Sequence, residues 1–158
     1  MHKLYDFMEA RERLSTVTVK TKLIHSDVFS QECGNDVYIK PENLQITASF
    51  KVRGAYNKIS KLSNEEKERG VIAASAGNHA QGVALAAKRL GIKAVIAMPK
   101  HTPLIKVKAT KQYGAEIVLH GEIYDEAYQK AVDLHKEKGY VIVHPFDDED
   151  VIAGNGAL

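Results

Sequence analysis

Four short apolar runs, VIAAS (71–75), AVIAMP (94–99), AEIVLHG (115–121) and YVIVHP (140–145), limit what this chain can fold into. They are rich in β-branched residues and do not alternate polar with apolar, the pattern of strands buried on both faces in a parallel sheet. Parallel strands need long crossovers, and the intervals supply them. Ala80, Val83, Ala84, Ala87 and Leu90 recur at helical spacing, as do Tyr124, Ala127, Tyr128, Ala131 and Leu134, so both intervals predict amphipathic helices. PLIKVKATKQYG (103–114) opens near Pro103 and closes on Gly114, the usual asymmetry of helix punctuation, with a weaker apolar stripe. The chain therefore reads as α/β: βαβαβαβ with right-handed crossovers, a three-layer open parallel sheet with helices on both faces.

Upstream, Val52, Ala55, Tyr56, Ile59 and Leu62 predict a further helix, and DVYIKPE (36–42) a further strand. Asp147, Asp148, Glu149 and Asp150 precede VIAGNGAL. The run lacks the ligand spacing of a calcium loop, so it reads as a helix start favoured by the macrodipole.

Twenty-two Lys and Arg against 20 Asp and Glu leave a net charge of +2, which supplies no basic stripe for a phosphate backbone, so no nucleic-acid partner is expected. Cys33 has no second thiol for a disulfide or a thiolate metal cluster, which fits a reducing cytoplasm. MHKLYDFMEARERL breaks any apolar run with charge, and no segment approaches the roughly 18 apolar residues of a membrane span. Neither secretion nor membrane anchoring is expected.

Chemistry concentrates in two stretches. LQITASFKVRGAYNKIS (44–60) contains no carboxylate, and Lys51 falls where a helix begins, a place that stability alone would give to Asp or Glu. Lys51 lies about 100° off the apolar stripe, so its amine need not enter the core. The macrodipole, Arg53, Lys58 and partial burial beside Phe50 are expected to disfavour the ammonium form. A lysine held as free amine can attack a carbonyl and form a Schiff base; the alternative is an indifferent surface amine. The second stretch, SAGNHAQG (75–82), leaves a strand and enters a helix through Ala76, Gly77 and Asn78. Such strand ends bind ligands in open α/β sheets, and helix-start N–H groups attract carboxylate or phosphate, although many such turns serve packing alone. His79 is either a ligand group or a packed, hydrogen-bonded imidazole. GNHAQG is not GxGxxG, no acidic residue follows AVIAMP to hold a ribose, and no GxxxxGK[ST], HExxH or GxSxG occurs, so a nucleotide-binding module is disfavoured.

Together, Q-x-T-x-S-F-K-x-R-G-A at 45–55 and S-A-G-N-H-A-Q-G at 75–82 resemble the β-family, or fold type II, of pyridoxal-phosphate enzymes, which shares the tryptophan synthase β-like fold. The match lies in its threonine dehydratase (threonine ammonia-lyase) branch, near serine racemase. It continues through KPENLQ, MPKHTP, YGAEIVLHG and HPFDDEDVIAG. The resemblance implies that Lys51 holds pyridoxal 5'-phosphate, Phe50 flanks its ring and Asn78 bonds the ring hydroxyl. It assigns the substrate carboxylate to Ser75, Gly77, Asn78 and His79. The implied reaction removes the α-proton of L-threonine or L-serine, through the Lys51 amine, then loses the β-hydroxyl and releases a 2-oxo acid and ammonia. It also implies a homo-oligomer acting on a small amino acid in amino-acid metabolism, isoleucine biosynthesis included.

Serine racemases typically carry Ser at the position of Ala76 as a second acid/base; Ala cannot serve there, so the dehydratase branch is preferred. Two further departures from the family pattern are Ala48, in place of Gly, and Ala153-Gly154-Asn155-Gly156-Ala157, in place of A-G-Q-G-T. By the same resemblance the chain is expected to match roughly the first half of the family's catalytic region. Residues 1–50 would begin a larger cofactor-binding domain, 51–143 would form a small α/β domain, and 144–158 would start the return, truncated. The cofactor-phosphate loop and the partner of the pyridine nitrogen would then lie outside it. The alternative function is a non-catalytic α/β fragment that keeps Lys51 without holding the cofactor.

Overall fold

The computed structural model describes residues 3–158; Met1 and His2, which open the 1–50 segment, lie outside the described residues. The chain begins with helix α1 (Leu4–Leu14), then β1 (Ile24–His25), α2 (Asp27–Cys33) and β2 (Tyr38–Ile39). Helices α3 (Lys51–Ser60) and α4 (Asn64–Arg69) follow. The rest alternates: β3 (Val71–Ala74), α5 (Asn78–Leu90), β4 (Ala94–Met98), α6 (Leu104–Lys111), β5 (Glu116–Leu119), α7 (Tyr124–Lys138), β6 (Val141–Ile142) and α8 (Glu149–Gly156).

The four expected runs form one parallel sheet in the order β5-β4-β3-β6. Successive side chains of a strand point to opposite faces, and the core divides accordingly. Val71 and Ala73 pack with α3 and α5 on one side, whereas Ile72 and Ala74 pack with Ala127, Ala131 and Leu134 of α7 on the other. Every residue of β3 and β4 is buried. β5 and β6 are not buried on both faces as their composition suggested: they are the sheet's outer strands, and their residues are partly exposed.

The helical stripes fall where the spacing put them, with Ala80, Val83, Ala84 and Ala87 of α5 and Val52, Ala55 and Ile59 of α3 all buried. DVYIKPE yields less strand than expected. Tyr38 and Ile39 alone pair, antiparallel with Ile24 and His25, in a separate two-stranded ribbon. The acidic run caps α8: the Asp148 carboxylate accepts hydrogen bonds from the N–H groups of Asp150 (2.9 Å) and Val151 (3.1 Å). α4 carries a capping box between Ser63 and Glu66 that the sequence reading passed over.

Candidate active site

From β3 the chain moves outward on one side to β4 and β5, then crosses to the other side of β3 to form β6. The strand order therefore reverses between β3 and β6, and ligands of open α/β sheets settle outside the carboxyl ends at such a reversal. Both exits carry candidate residues. After β3, the buried Ser75 hydroxyl accepts a hydrogen bond from Gly77 N–H (3.2 Å). α5 then begins at Asn78, whose side chain is exposed. The N–H groups of this first turn have no partner within the helix, and the positive end of the macrodipole gathers there.

Lys51 opens α3 as expected. Its N–H donates to the Ser49 hydroxyl at 3.1 Å. Its half-buried amine donates to the Pro145 carbonyl at 2.7 Å and lies 5.4 Å from the centre of the Phe50 ring. Burial holds the amine below the usual lysine range. Arg53 and Lys58 do not contribute to that depression as the sequence suggested, because carboxylates neutralise both. Arg53 pairs with Glu42 through two contacts, at 2.8 and 2.9 Å. Lys58 pairs with Asp148 at 2.8 Å. Among the described residues no such carboxylate pairs with Lys51.

The two stretches meet at one point. A Cβ added to Gly82 would sit 2.9 Å from the carbonyl carbon of Lys51. The absence of a side chain there lets α5 lie against the first turn of α3, which brings SAGNHAQG up to the lysine.

His79 points inward. Its Nε2 donates to the Val143 carbonyl at 2.9 Å, and the residue is 4% exposed. Burial pushes the imidazole down to about 4, with Lys51 and His144 adding in the same direction and the Val143 carbonyl opposing. The packed reading of His79 describes its side chain; only its main-chain N–H faces the helix start. Its Nδ1 is buried without a hydrogen-bond partner among the described residues.

In the sequence the β6 exit, residues 143–145, reads as the end of a strand and, from His144 on, as part of the family resemblance, with no role attached to it. Its carbonyls receive both His79 and Lys51. Backbone acceptors leave no signature in side-chain identity, so no sequence signal marked them.

Comparison with known proteins assigns the lineage. The family model described as "Pyridoxal-phosphate dependent enzyme" matches residues 14–158. The chain belongs to this family. It is 53% identical over 158 residues to the L-threonine ammonia-lyase of Thermotoga maritima, covering 100% of this chain and 39% of that protein. Among solved structures of the family, processed threonine deaminase isoform 2 from Solanum lycopersicum superposes with a TM-score of 0.88 at 42% identity, covering 97% of this chain and 44% of that one. Maize serine racemase superposes with a TM-score of 0.91 at 33% identity, covering 96% and 46%. The chain thus spans less than half the length of these pyridoxal-phosphate-dependent relatives, and its fold is that of fold type II enzymes.

Proposed function

We propose that this chain contributes the reactive amine and the substrate-carboxylate site of a pyridoxal-phosphate-dependent threonine ammonia-lyase. The reaction converts L-threonine, with L-serine as a second substrate, to a 2-oxo acid and ammonia. The observation that carries this reading is Lys51: a half-buried amine without a carboxylate partner among the described residues, at the reversal point of the sheet, against the start of α5.

The residues present fit the cofactor: an uncompensated amine, an aromatic ring beside it in Phe50, and a carboxamide at a helix start in Asn78. Lys51, Phe50 and Asn78 would hold it. When bound, pyridoxal phosphate supplies the sink for the electron pair released at the substrate α-carbon. The chain's own residues do the rest. The N–H groups of the first turn of α5, with Gly77 and the Ser75 hydroxyl, receive the substrate carboxylate and orient the α-carbon. The depressed proton affinity of Lys51 keeps more of it as free amine near neutral pH, so Nζ can take the α-proton. The Pro145 carbonyl accepts a hydrogen bond from the ammonium that results. Ala76 offers a methyl group where a racemase needs a second proton carrier, which favours elimination over racemisation.

In this reading residues 51–143 form the small domain and 1–50 and 144–158 belong to a larger one. Exposed Leu23, Ile24, Val28 and Phe29 suit a contact between copies in a homo-oligomer. No helix among the described residues is long and apolar enough to cross a membrane. The lone exposed thiol of Cys33 fits the cytoplasm, and the substrates place the protein in amino-acid metabolism, with isoleucine biosynthesis one such role.

The test is the visible spectrum of the purified chain with added pyridoxal phosphate, before and after L-threonine, beside Lys51→Ala. A saturable band that requires Lys51 and changes with threonine is expected. Adducts insensitive to the substitution would show that the chain does not hold the cofactor through Lys51.

A further inference from the structure

Residues 143–145 leave β6 in a short turn that touches the candidate site twice. The Val143 carbonyl accepts from His79, and the Pro145 carbonyl accepts from the Lys51 amine. Between them, His144 turns its ring back on its own backbone. Its Nδ1 accepts from the N–H of Asp147 at 2.8 Å and, at the longer distance of 3.4 Å, from that of Phe146. The ring is also held by edge-on contacts with Phe146 (centroids 4.7 Å apart) and with Tyr128 of α7 (6.3 Å). The Phe146 N–H shares a planar peptide with the Pro145 carbonyl, so its contact with His144 bears directly on the direction of that carbonyl, while the shorter bond from Asp147, one peptide further on, holds the turn closed around it.

We propose that His144 is a positioning residue for Lys51, acting through the Pro145 carbonyl. The imidazole acceptor folds the exit of β6 so that this carbonyl meets Nζ. The amine is then kept in its half-buried place beside Phe50 rather than extended into water. The inference rests on Lys51 being the reacting amine, but the contact it describes exists without the cofactor.

Two substitutions separate the acceptor from the ring. His144→Phe keeps an aromatic edge against Tyr128 and Phe146 and removes the acceptor. His144→Asn removes the ring and places a carboxamide oxygen where Nδ1 accepts. The experiment labels the full chain, with no cofactor added, with trinitrobenzenesulfonate across pH and reads Lys51 and the exposed Lys136 by peptide mapping. In the native protein Lys51 should reach half its limiting rate at a pH below the ordinary lysine value, with the total labelling of the exposed Lys136 serving as the internal standard. In His144→Phe the untethered amine moves out to water, and its inflection should rise toward the ordinary lysine value of about 10.4. In His144→Asn it should stay at the native position. An inflection that rises in both variants, in neither, or only in His144→Asn overturns the proposal. Should His144→Phe fail to fold, as read by circular dichroism, His144→Leu puts the same question. Because no pyridoxal phosphate is present, a chain that never binds the cofactor still gives a clear answer.

Discussion

The sheet of β3 and β4 and the segment from 18 to 50 are held by different forces. In the sheet, apolar burial does the holding: Val71, Ile72, Val95 and Ile96 have almost no contact with water. In the segment, the strands are two residues long and Leu23, Ile24, Val28, Phe29 and Tyr38 are exposed. Order there comes from a polar knot. The Gln45 side chain accepts from Val19 N–H and donates to its carbonyl, both at 2.8 Å. The Thr21 hydroxyl donates to Glu42 at 2.9 Å, and the Lys40 amine donates to the Thr21 carbonyl at 2.9 Å. Glu42 in turn holds Arg53 of α3, which is 5% exposed. Lys51 sits on the seam, its backbone tied to Ser49 of the segment and its amine to the exit of β6. A hydrophobic region tolerates one lost contact by degrees; a buried polar knot is satisfied or it is not.

The largest expected effect tests that knot. Burial alone would raise Glu42, but hydrogen bonds from Arg53, Thr21 and Gln45 outweigh it and hold the carboxyl below its usual range. Glu42→Ala leaves Arg53 buried and unpaired, and should lower stability in urea unfolding by about 3–5 kcal/mol. Adding Arg53→Met should restore most of the loss, since the cost lies in the orphaned charge. If the double variant is no better than the single, packing rather than charge organises the segment.

The same residue type then separates the regions directly. Ile72→Ala, at a site 0% exposed, should cost about 2–5 kcal/mol. Ile24→Ala, at a site 51% exposed, should stay within about 0.5 kcal/mol. Equal losses would mean that β1 is covered in solution, and sedimentation would show whether a second copy covers it.

The contrast also explains what could be read from sequence. β3, β4, α3, α5 and α7 were legible because burial on a regular element repeats every two or every 3.6 residues, and Ile72, Ala84 and Ala131 carry that rhythm. The segment has no such period. Its partners lie far apart in the chain, as Thr21, Glu42 and Arg53 do, and pair through polar atoms that do not announce their neighbours. The site divides in the same way. Lys51, Phe50 and the start of α5 stood out by position and by motif, whereas the carbonyls of Val143 and Pro145 are invisible in side-chain identity. Arg53 and Lys58 looked like a positive field around Lys51 because Glu42, Asp148 and Asp150, which neutralise them, come from other parts of the chain.

His79 offers a test at the junction of sheet and site. Its folded value is depressed from 6.5 to about 4, so the unfolded chain takes up a proton first as pH falls. The stability this neutral imidazole protects is present in full above 6.5 and is lost as pH drops toward about 4. At about 1.4 kcal/mol per tenfold change, the loss approaches roughly 3 kcal/mol. Between about pH 6.5 and 5, before most carboxylates titrate, His79→Gln should flatten the fall of unfolding free energy with acid. A slope unchanged by the substitution would assign the acid sensitivity to other groups.

The smallest effect concerns how the segment delivers Lys51. Among the described residues the positive-φ positions 34, 70, 91, 114, 121 and 139 are all glycines, but at the end of the segment Ala48 takes φ +53°. That conformation costs a non-glycine residue about 1–2 kcal/mol. Ala48 closes a turn by donating to the Gln45 carbonyl at 2.8 Å, one link from the polar knot and three residues before the lysine. Ala48→Gly removes the strain, but it also loosens the unfolded chain by about 0.4–1 kcal/mol. The net should be a gain of about 0.5–1 kcal/mol in thermal or urea unfolding. The labelling rate of Lys51 gives the second half of the measurement. If stability rises and the rate is unchanged, the knot fixes the lysine regardless of the backbone at 48. If stability rises and the rate shifts toward that of Lys136, the strained alanine helps to set where the amine rests, and the seam is tensioned from the segment's side as well as from β6.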